Sequence, residues 1–241
     1  SINGIIATGM MFVILSDGID LSVGSIVALS GVIAASFAHP DEYPLIVPIV
    51  LPILAGLAAG VLNGVGVAFG NIPPFIVTLG SMTIIRGLAL IYSNGQPIFG
   101  VTKAFESIAG GFVFGSIPRL VVYFLGITII SAFILTKTVF GRRVYAVGGN
   151  ETTAKVSGVS VPAIKIAVYS ISGLLAGFAG LLLSSRIVSG NPTSGQSYEL
   201  DAIAAVIIGG ISMSGGSGKW YGTVIGALFI AVIGNGLDIL N

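Results

Sequence analysis

Apolar windows almost free of charge recur along the chain, at 2–16, 22–38, 45–69, 75–93, 120–136, 164–185, 199–212 and 221–238. A helix needs about 20 apolar residues to cross a hydrocarbon core, and an open chain satisfies its backbone N–H and C=O groups there only as helices. The first and seventh windows are short for this, and 199–212 is expected as a partial or tilted helix. A membrane barrel would show alternating segments of roughly ten residues. Here Leu, Ile, Val and Ala run on continuously among 36 glycines. The expected class is an all-α integral membrane protein, a polytopic bundle of about eight helical segments.

Composition agrees: 54% of residues are apolar and 8% charged, against about 25% charged in a soluble domain. Ten Lys/Arg face nine Asp/Glu, which leaves no basic patch for nucleic acid. With no cysteine and a single histidine, His39, disulfides, cysteine-held zinc, iron–sulfur clusters and His-rich metal sites are excluded. No metal site is expected. The chain opens at Ser1 directly into apolar sequence and ends just after another apolar stretch, which reads as a fragment truncated at both ends, a single transmembrane domain over 1–241.

Loops follow from helix breakers. His39-Pro40-Asp41-Glu42-Tyr43-Pro44 and Asn71-Ile72-Pro73-Pro74 read as short turns, and 94–119 as a longer Gly-rich connection. Lys137, Arg142, Arg143, Lys155 and Lys165 face Glu151 alone, so the positive-inside bias puts 137–165 in the cytoplasm. Counting outward places 39–44, 94–119 and 186–198 outside, and 17–21, 70–74 and 210–219 inside. At an offset of 192, Gly18, Ile19, Ser22, Gly24, Ser25, Val32, Ile33 and Ala35 recur as Gly210, Ile211, Ser214, Gly216, Ser217, Val224, Ile225 and Ala227. That is the mark of a parallel internal repeat, although common glycines and small residues can produce such matches by chance.

Glycine invites a test for nucleotide binding. A phosphate loop needs glycine five residues before its Gly-Lys pair and Ser or Thr after it, and around Gly218-Lys219 those positions hold Met213 and Trp220. Close helix packing explains the glycines better, with Gly56/Gly60/Gly64, Gly173/Gly177 and Ala176/Gly180 at four-residue spacing. Intramembrane charges, each costing about 2.5–3.5 kcal/mol at mid-bilayer, are more telling. Asp17 and Asp20 flank the break Gly18-Ile19, and Asp20 is read first as a cap for the helix opening at Ser22. Arg86 needs an acid, carbonyls or water. Glu199 and Asp201 open a short helix and suit its positive end. Asn63, Asn94, Gln96 and Tyr198 can bond a polar solute or be satisfied by packing. The candidate solute path is Asp20, Ser22, Asn63, Arg86, Tyr198, Glu199 and Asp201. No carboxylate has a nucleophile, base or metal set beside it, so no catalytic residue is assigned.

Phe140 to Gly158 is too polar for lipid. Asn150 is a good N-cap, Glu151 suits a first turn and Gly158 a helix stop, so a two-turn helix is expected under the membrane. The plain alternative is a solvated basic loop.

Four segments carry a family likeness: GMMFVILSDGIDLSVGSIVALSG (9–31), FGRRVYAVGGNETTAKVSG (140–158), YELDAIAAVIIGG (198–210) and Gly215 to Ala227. Together they resemble the permease subunits of ribose-type simple-sugar ABC importers, and the likeness runs over essentially the whole chain. It implies a bacterial inner-membrane, multi-pass subunit with a further span at each end. Its partners would be a second permease subunit, two cytoplasmic ATPase subunits that use ATP and Mg, and an extracytoplasmic sugar-binding protein. The chain itself would bind no cofactor and would not be an enzyme. Residues 141–158 would couple it to the ATPases, through Gly141, Arg142, Gly148, Gly149, Asn150, Glu151, Ala154, Ser157 and Gly158. Asp17 departs from the family, where a small neutral residue is usual before Gly-Ile-Asp-Leu-Ser. The alternative function is an ion-coupled secondary transporter or channel for a small polar solute, with Asp17, Asp20 or Arg86 as coupling charge.

Overall fold

A computed structural model describes residues 1–39, 43–70, 72–113 and 115–240. The expected turn residues Pro40, Asp41, Glu42 and Asn71 lie outside the described residues. All eight apolar windows are helical, as α1 (Ile2–Leu15), α2 (Val23–Ser36), α3 (Ile46–Phe69), α4 (Pro74–Tyr92), α6 (Arg119–Lys137), α9 (Val161–Ile187), α10 (Tyr198–Ile208) and α11 (Trp220–Leu240). Three shorter helices, α5 (Lys103–Ala109), α7 (Val139–Gly149) and α8 (Glu151–Val156), lie between them. The connection 94–119 is more ordered than its glycines suggest. It holds α5 and a small antiparallel hairpin of β1 (Phe112–Val113) and β2 (Ile117–Pro118). Ser185 of α9 fixes α5, accepting from Ala109 N at 2.9 Å and donating to Phe105 O at 2.7 Å.

The bundle has a centre and a rim. In α1 every residue but Asn3 is buried, and 67% of the apolar window of α9 is buried, against 17–28% in α3, α4, α6 and α11. The rim helices present Leu, Ile, Val and Phe outward, as at Ile84, Ile91, Ile129 and Phe133, which is what lipid solvates. The centre is α1, α2 and α9.

Small residues make the central contacts, as their spacing predicts. A Cβ on Gly56 would stand 2.7 Å from Gly177 Cα, and one on Gly173 would stand 2.7 Å from Gly60 Cα. The two glycine faces therefore seat α3 directly on the backbone of α9. Gly180, on a different face of α9, meets α2, where its Cβ would lie 3.1 Å from Gly31 N.

Chain contacts sort into two poles. One gathers the end of α1, α7, α8 and the loop 212–219, and carries Lys137, Arg142, Arg143, Lys155, Lys165 and Lys219. The other joins 98–102 to Gly190 and Ala38, through Ile98 N to Gly190 O and Thr102 N to Ala38 O, both 2.8 Å. This pairing of segments agrees with the sidedness counted from the positive charges. Two connections depart from that count. Residues 18–22 turn back into the bundle, where Asp20 is 0% exposed. Residues 190–197 likewise descend along α2, with Gly190 against Val32 and Ala35 and Gly195 against Val27. α2 and α10 therefore begin within the bundle, in keeping with the partial helix expected at 199–212.

The helices that precede the two matched segments end alike. α1 ends on Asp17 at φ 61°, with Asp17 N bonding Ile14 O and Gly18 N bonding Val13 O. α10 ends on Gly210 at φ 82°, with Gly210 N bonding Ile207 O and Ile211 N bonding Val206 O. Asp17 and Gly210 are each the left-handed residue that terminates a helix, a stop that Asn94 and Gly158 also make, so it is general to helix ends and does not mark the repeat.

Candidate functional site

The polar stretch at the basic pole folds as two capped helices. Thr138 caps α7 by accepting from Gly141 N at 3.1 Å, and Asn150 caps α8 by accepting from Thr153 N at 2.7 Å. Gly158 ends α8 at φ 81°. Sequence reasoning finds α8 and its caps but not α7, whose glycines at 141, 148 and 149 argue against a helix. Those glycines serve approach instead. A Cβ on Gly148 would lie 2.7 Å from Gly216 N, and Gly216 N in turn donates to Leu15 O at 3.0 Å. A Cβ on Gly215 would meet Asp17 N at 2.8 Å and Gly148 O at 2.9 Å. Tyr145 donates from its hydroxyl to Gly218 O at 3.0 Å, and burial raises its pKa, so the donor proton stays on at neutral pH. α7 therefore grips both helix breaks, the one after α1 and the one after α10. The glycine run 215–218 that superficially resembles a phosphate loop is occupied by this packing.

The opposite side of the same element faces solvent. Arg142, Gly149, Asn150, Glu151, Ser157 and Gly158 are exposed, whereas Gly141, Gly148 and Ala154 are buried. Val156 is 80% exposed at this polar surface. Glu151 pairs with Lys165 at 2.7 Å, the one ion pair among the described residues, and ties α8 to the start of α9.

The candidate path residues separate into three places. Asp20, Ser22 and Asn63 form a closed network at the re-entrant turn: Asp20 Oδ1 accepts from Ser22 N at 3.0 Å and Ser22 Oγ at 2.6 Å, Oδ2 accepts from Ser172 Oγ at 2.8 Å, and Asn63 Nδ2 donates to Ser22 Oγ at 2.7 Å. Tyr169 donates to Ile19 O at 3.0 Å, and the Thr78 hydroxyl, which lies 2.9 Å from Pro74 O in its own helix, is 3.3 Å from the same Ile19 oxygen. The cap reading of Asp20 needs correction: the N-cap of α2 is Ser22, and the carboxylate holds the N–H of that cap rather than one inside the helix. Ser172, Tyr169 and Thr78 are missed by sequence reasoning, since a lone hydroxyl in an apolar helix has no local signature.

Arg86 and Glu199 meet in a second place. They line a cleft of about 540 Å³ together with Ser25, Gln196 and Ser197. The guanidinium is pinned by Nη1 donating to Pro192 O at 2.8 Å and Ser194 O at 2.7 Å; carbonyls, not an acid, satisfy it. Tyr198 and Asp201 lie elsewhere, Tyr198 half-buried against the core and Asp201 accepting from Asn3 Nδ2 at 3.0 Å. Asn94 and Gln96 sit exposed in the turn after α4. Another cleft, of about 580 Å³ between α3 and α4, is lined mainly by apolar groups such as Leu62, Ile76 and Leu88, with the Asn63 amide and the Ser81 hydroxyl as its polar side chains. No group of metal-ligating side chains occurs among the described residues.

Comparison with known proteins gives this architecture its family. The ribose import permease protein RbsC of Bacillus subtilis is 49% identical over 100% of this chain and 75% of its own length. RbsC of Escherichia coli K12 is 44% identical over 100% of this chain and 76% of its own, and the D-allose transport system permease protein AlsC of the same organism 39% over 100% and 74%. No solved structure matches the chain. Over residues 1–241 the sequence matches the family described as branched-chain amino acid transport system / permease component, and the chain belongs to it.

Proposed function

We propose that this chain is the membrane subunit of an ATP-driven importer and forms, with a second permease subunit, the path for a simple, ribose-like sugar handed over by an extracytoplasmic binding protein. Two cytoplasmic ATPase subunits supply the work and use the ATP and Mg; the chain binds no cofactor and hydrolyses nothing. The observation that carries this reading is the two-sidedness of α7–α8, exposed at Asn150–Thr153 and Val156–Gly158 and anchored through Tyr145 and Gly148 to both helix breaks. An element built this way passes a push from a docked subunit to the helices around the path. The names of relatives 39–49% identical support a sugar as cargo.

Coupling runs through Gly141, Arg142, Gly148, Gly149, Asn150, Glu151, Ala154, Ser157 and Gly158. Of these, Gly148 is a contact to the breaks, Asn150 caps α8, and Glu151 links α8 to α9. The Asp20–Ser22–Asn63 network fixes the first break, while Arg86 and Glu199 stand where a solute can reach them. The test is reconstitution of the whole complex in proteoliposomes. Ribose uptake should require ATP, the ATPase subunits and the binding protein. Uptake that persists without the ATPases, or follows a proton or sodium gradient instead, would overturn the reading in favour of an ion-coupled carrier.

A further inference from the structure

We infer that the cleft bounded by Ser25, Arg86, Gln196 and Glu199 is a waypoint on the path that binds the hydroxyls of a neutral polyol, with Ser25 and Glu199 contacting the solute and Gln196 at its exposed rim. The inference rests on the importer reading and gives it a site. Two short helices begin at this cleft, α2 at Val23 and α10 at Tyr198. The first N–H groups of a helix have no acceptor within it and carry its partial positive charge. Gly24 leaves room for this meeting, since a Cβ there would run into the Gly195 carbonyl and Glu199 Oε2. Arg86 stands twelve residues into α4, about 18 Å along a helix of about 28 Å, well away from either end.

The cleft has hydrogen-bonding capacity with nothing to use it. Ser25 is 1% exposed, lines the cleft, and its Oγ has no partner among the described residues. A buried hydroxyl left so is uncommon and points to a ligand or a conformer that satisfies it. Among the described residues Gln196 and Glu199 have no side-chain hydrogen-bond partner, and of the five-donor guanidinium only Nη1 is engaged. Arg86 and Glu199 share the wall without forming an ion pair. A sugar hydroxyl donates to the Glu199 carboxylate and accepts from Arg86 or Ser25. The Glu199 charge offsets Arg86 and the two helix N-termini, so the cleft has no uncompensated positive charge to hold a sugar phosphate, and its free donors and acceptors suit an uncharged polyol.

The chain has no cysteine, so Gln196→Cys supplies a unique thiol at an exposed position of the cleft. In the assembled importer in vesicles, saturating ribose should slow its labelling by a small water-soluble thiosulfonate at least threefold. Leucine and ribose 5-phosphate at equal concentration should not, and adding Ser25→Ala or Glu199→Gln should remove the protection. Equal rates with and without ribose overturn the site. So does protection that survives both substitutions, and protection by leucine or the sugar phosphate as strong as by ribose overturns the ligand class. Uptake of ribose, allose and xylose by the unsubstituted complex is read separately. Its absence sinks the importer reading itself, and with it the cargo assigned to the cleft.

Discussion

Asp17 shows what a single backbone angle can ask of a residue. Its φ of 61° is the left-handed conformation at which Gly210 terminates α10, and that region suits glycine and is tolerated by Asp or Asn. Asp17 therefore sits where a residue without a Cβ would be unstrained. Asp17→Gly should relieve a left-handed penalty on the order of 1 kcal/mol, read as a higher unfolding midpoint of the detergent-purified protein. Burial raises the Asp17 carboxyl above the ordinary carboxylate range, with Lys165 pulling the other way. A carboxyl raised in the folded state contributes fully only while protonated, below the unfolded value near 4, and the contribution is lost as pH climbs through the folded value. Asp17→Asn, which keeps the backbone preference, should therefore gain more at pH 7 than at pH 4; equal gains would assign the effect to the backbone. Asp20 is the opposite case, an acid whose three incoming donors all come from Ser22 and Ser172. Asp20→Ala strands them in the core at a cost on the order of 2–3 kcal/mol, and Asp20→Asn, which keeps one acceptor, should lose less. A neutral Asp20→Ala in the same midpoint measurement would show the network to be dispensable. A charge at a helix break is visible from sequence, but Ser172 lies far along the chain and no local pattern links the two.

Periodicity reads best at the scale of the element. Windows almost free of charge locate the eight apolar helices within a few residues of their ends, because the hydrocarbon core constrains composition. Four-residue glycine spacing finds the faces of α3 and α9 that meet, since only a backbone without Cβ atoms lets the axes come so close. What stays hidden is structure set by distant partners: α7, whose glycines argue against a helix until its contacts with 15–17 and 215–218 are known, and the re-entrant stretches 18–22 and 190–197. The same reasoning separates glycines that pack from glycines that do not. Gly60→Ala would place its Cβ 3.1 Å from Gly173 Cα and Ser170 Cα and closer still to Tyr169 O, and should destabilise by about 1–3 kcal/mol. At Gly126 of α6 nothing lies within 4 Å, so Gly126→Ala should be neutral or stabilising by up to about 1 kcal/mol. Monodisperse yield after gentle and harsh detergent extraction checks the pair. Equal behaviour of the two variants would deny that the glycine faces hold α3 to α9.

Across the whole molecule the two helix breaks are held differently. The first is clamped inside the bundle by Ser172, Tyr169, Asn63 and Thr78. The second lies at the basic pole and is held from outside itself by Gly216 N to Leu15 O and Tyr145 to Gly218 O. On the proposed coupling role, a push on α7 would bear on one break clamped in the core and on another held through these two bonds, at the root of the α10–α11 arm that carries Glu199. Two substitutions separate docking from transmission. Glu151→Lys reverses a charge on the exposed face and breaks the pair with Lys165, so it should weaken co-purification of the ATPase subunits and with it both ATP hydrolysis stimulated by the binding protein and uptake. Tyr145→Phe removes only the hydroxyl that reaches Gly218, worth on the order of 1 kcal/mol, and leaves the exposed face unchanged. It should leave the ATPases bound and hydrolysing while lowering the sugar carried per ATP several-fold. If Tyr145→Phe instead costs the complex its ATPases, or alters neither quantity, the second break is not driven through this contact.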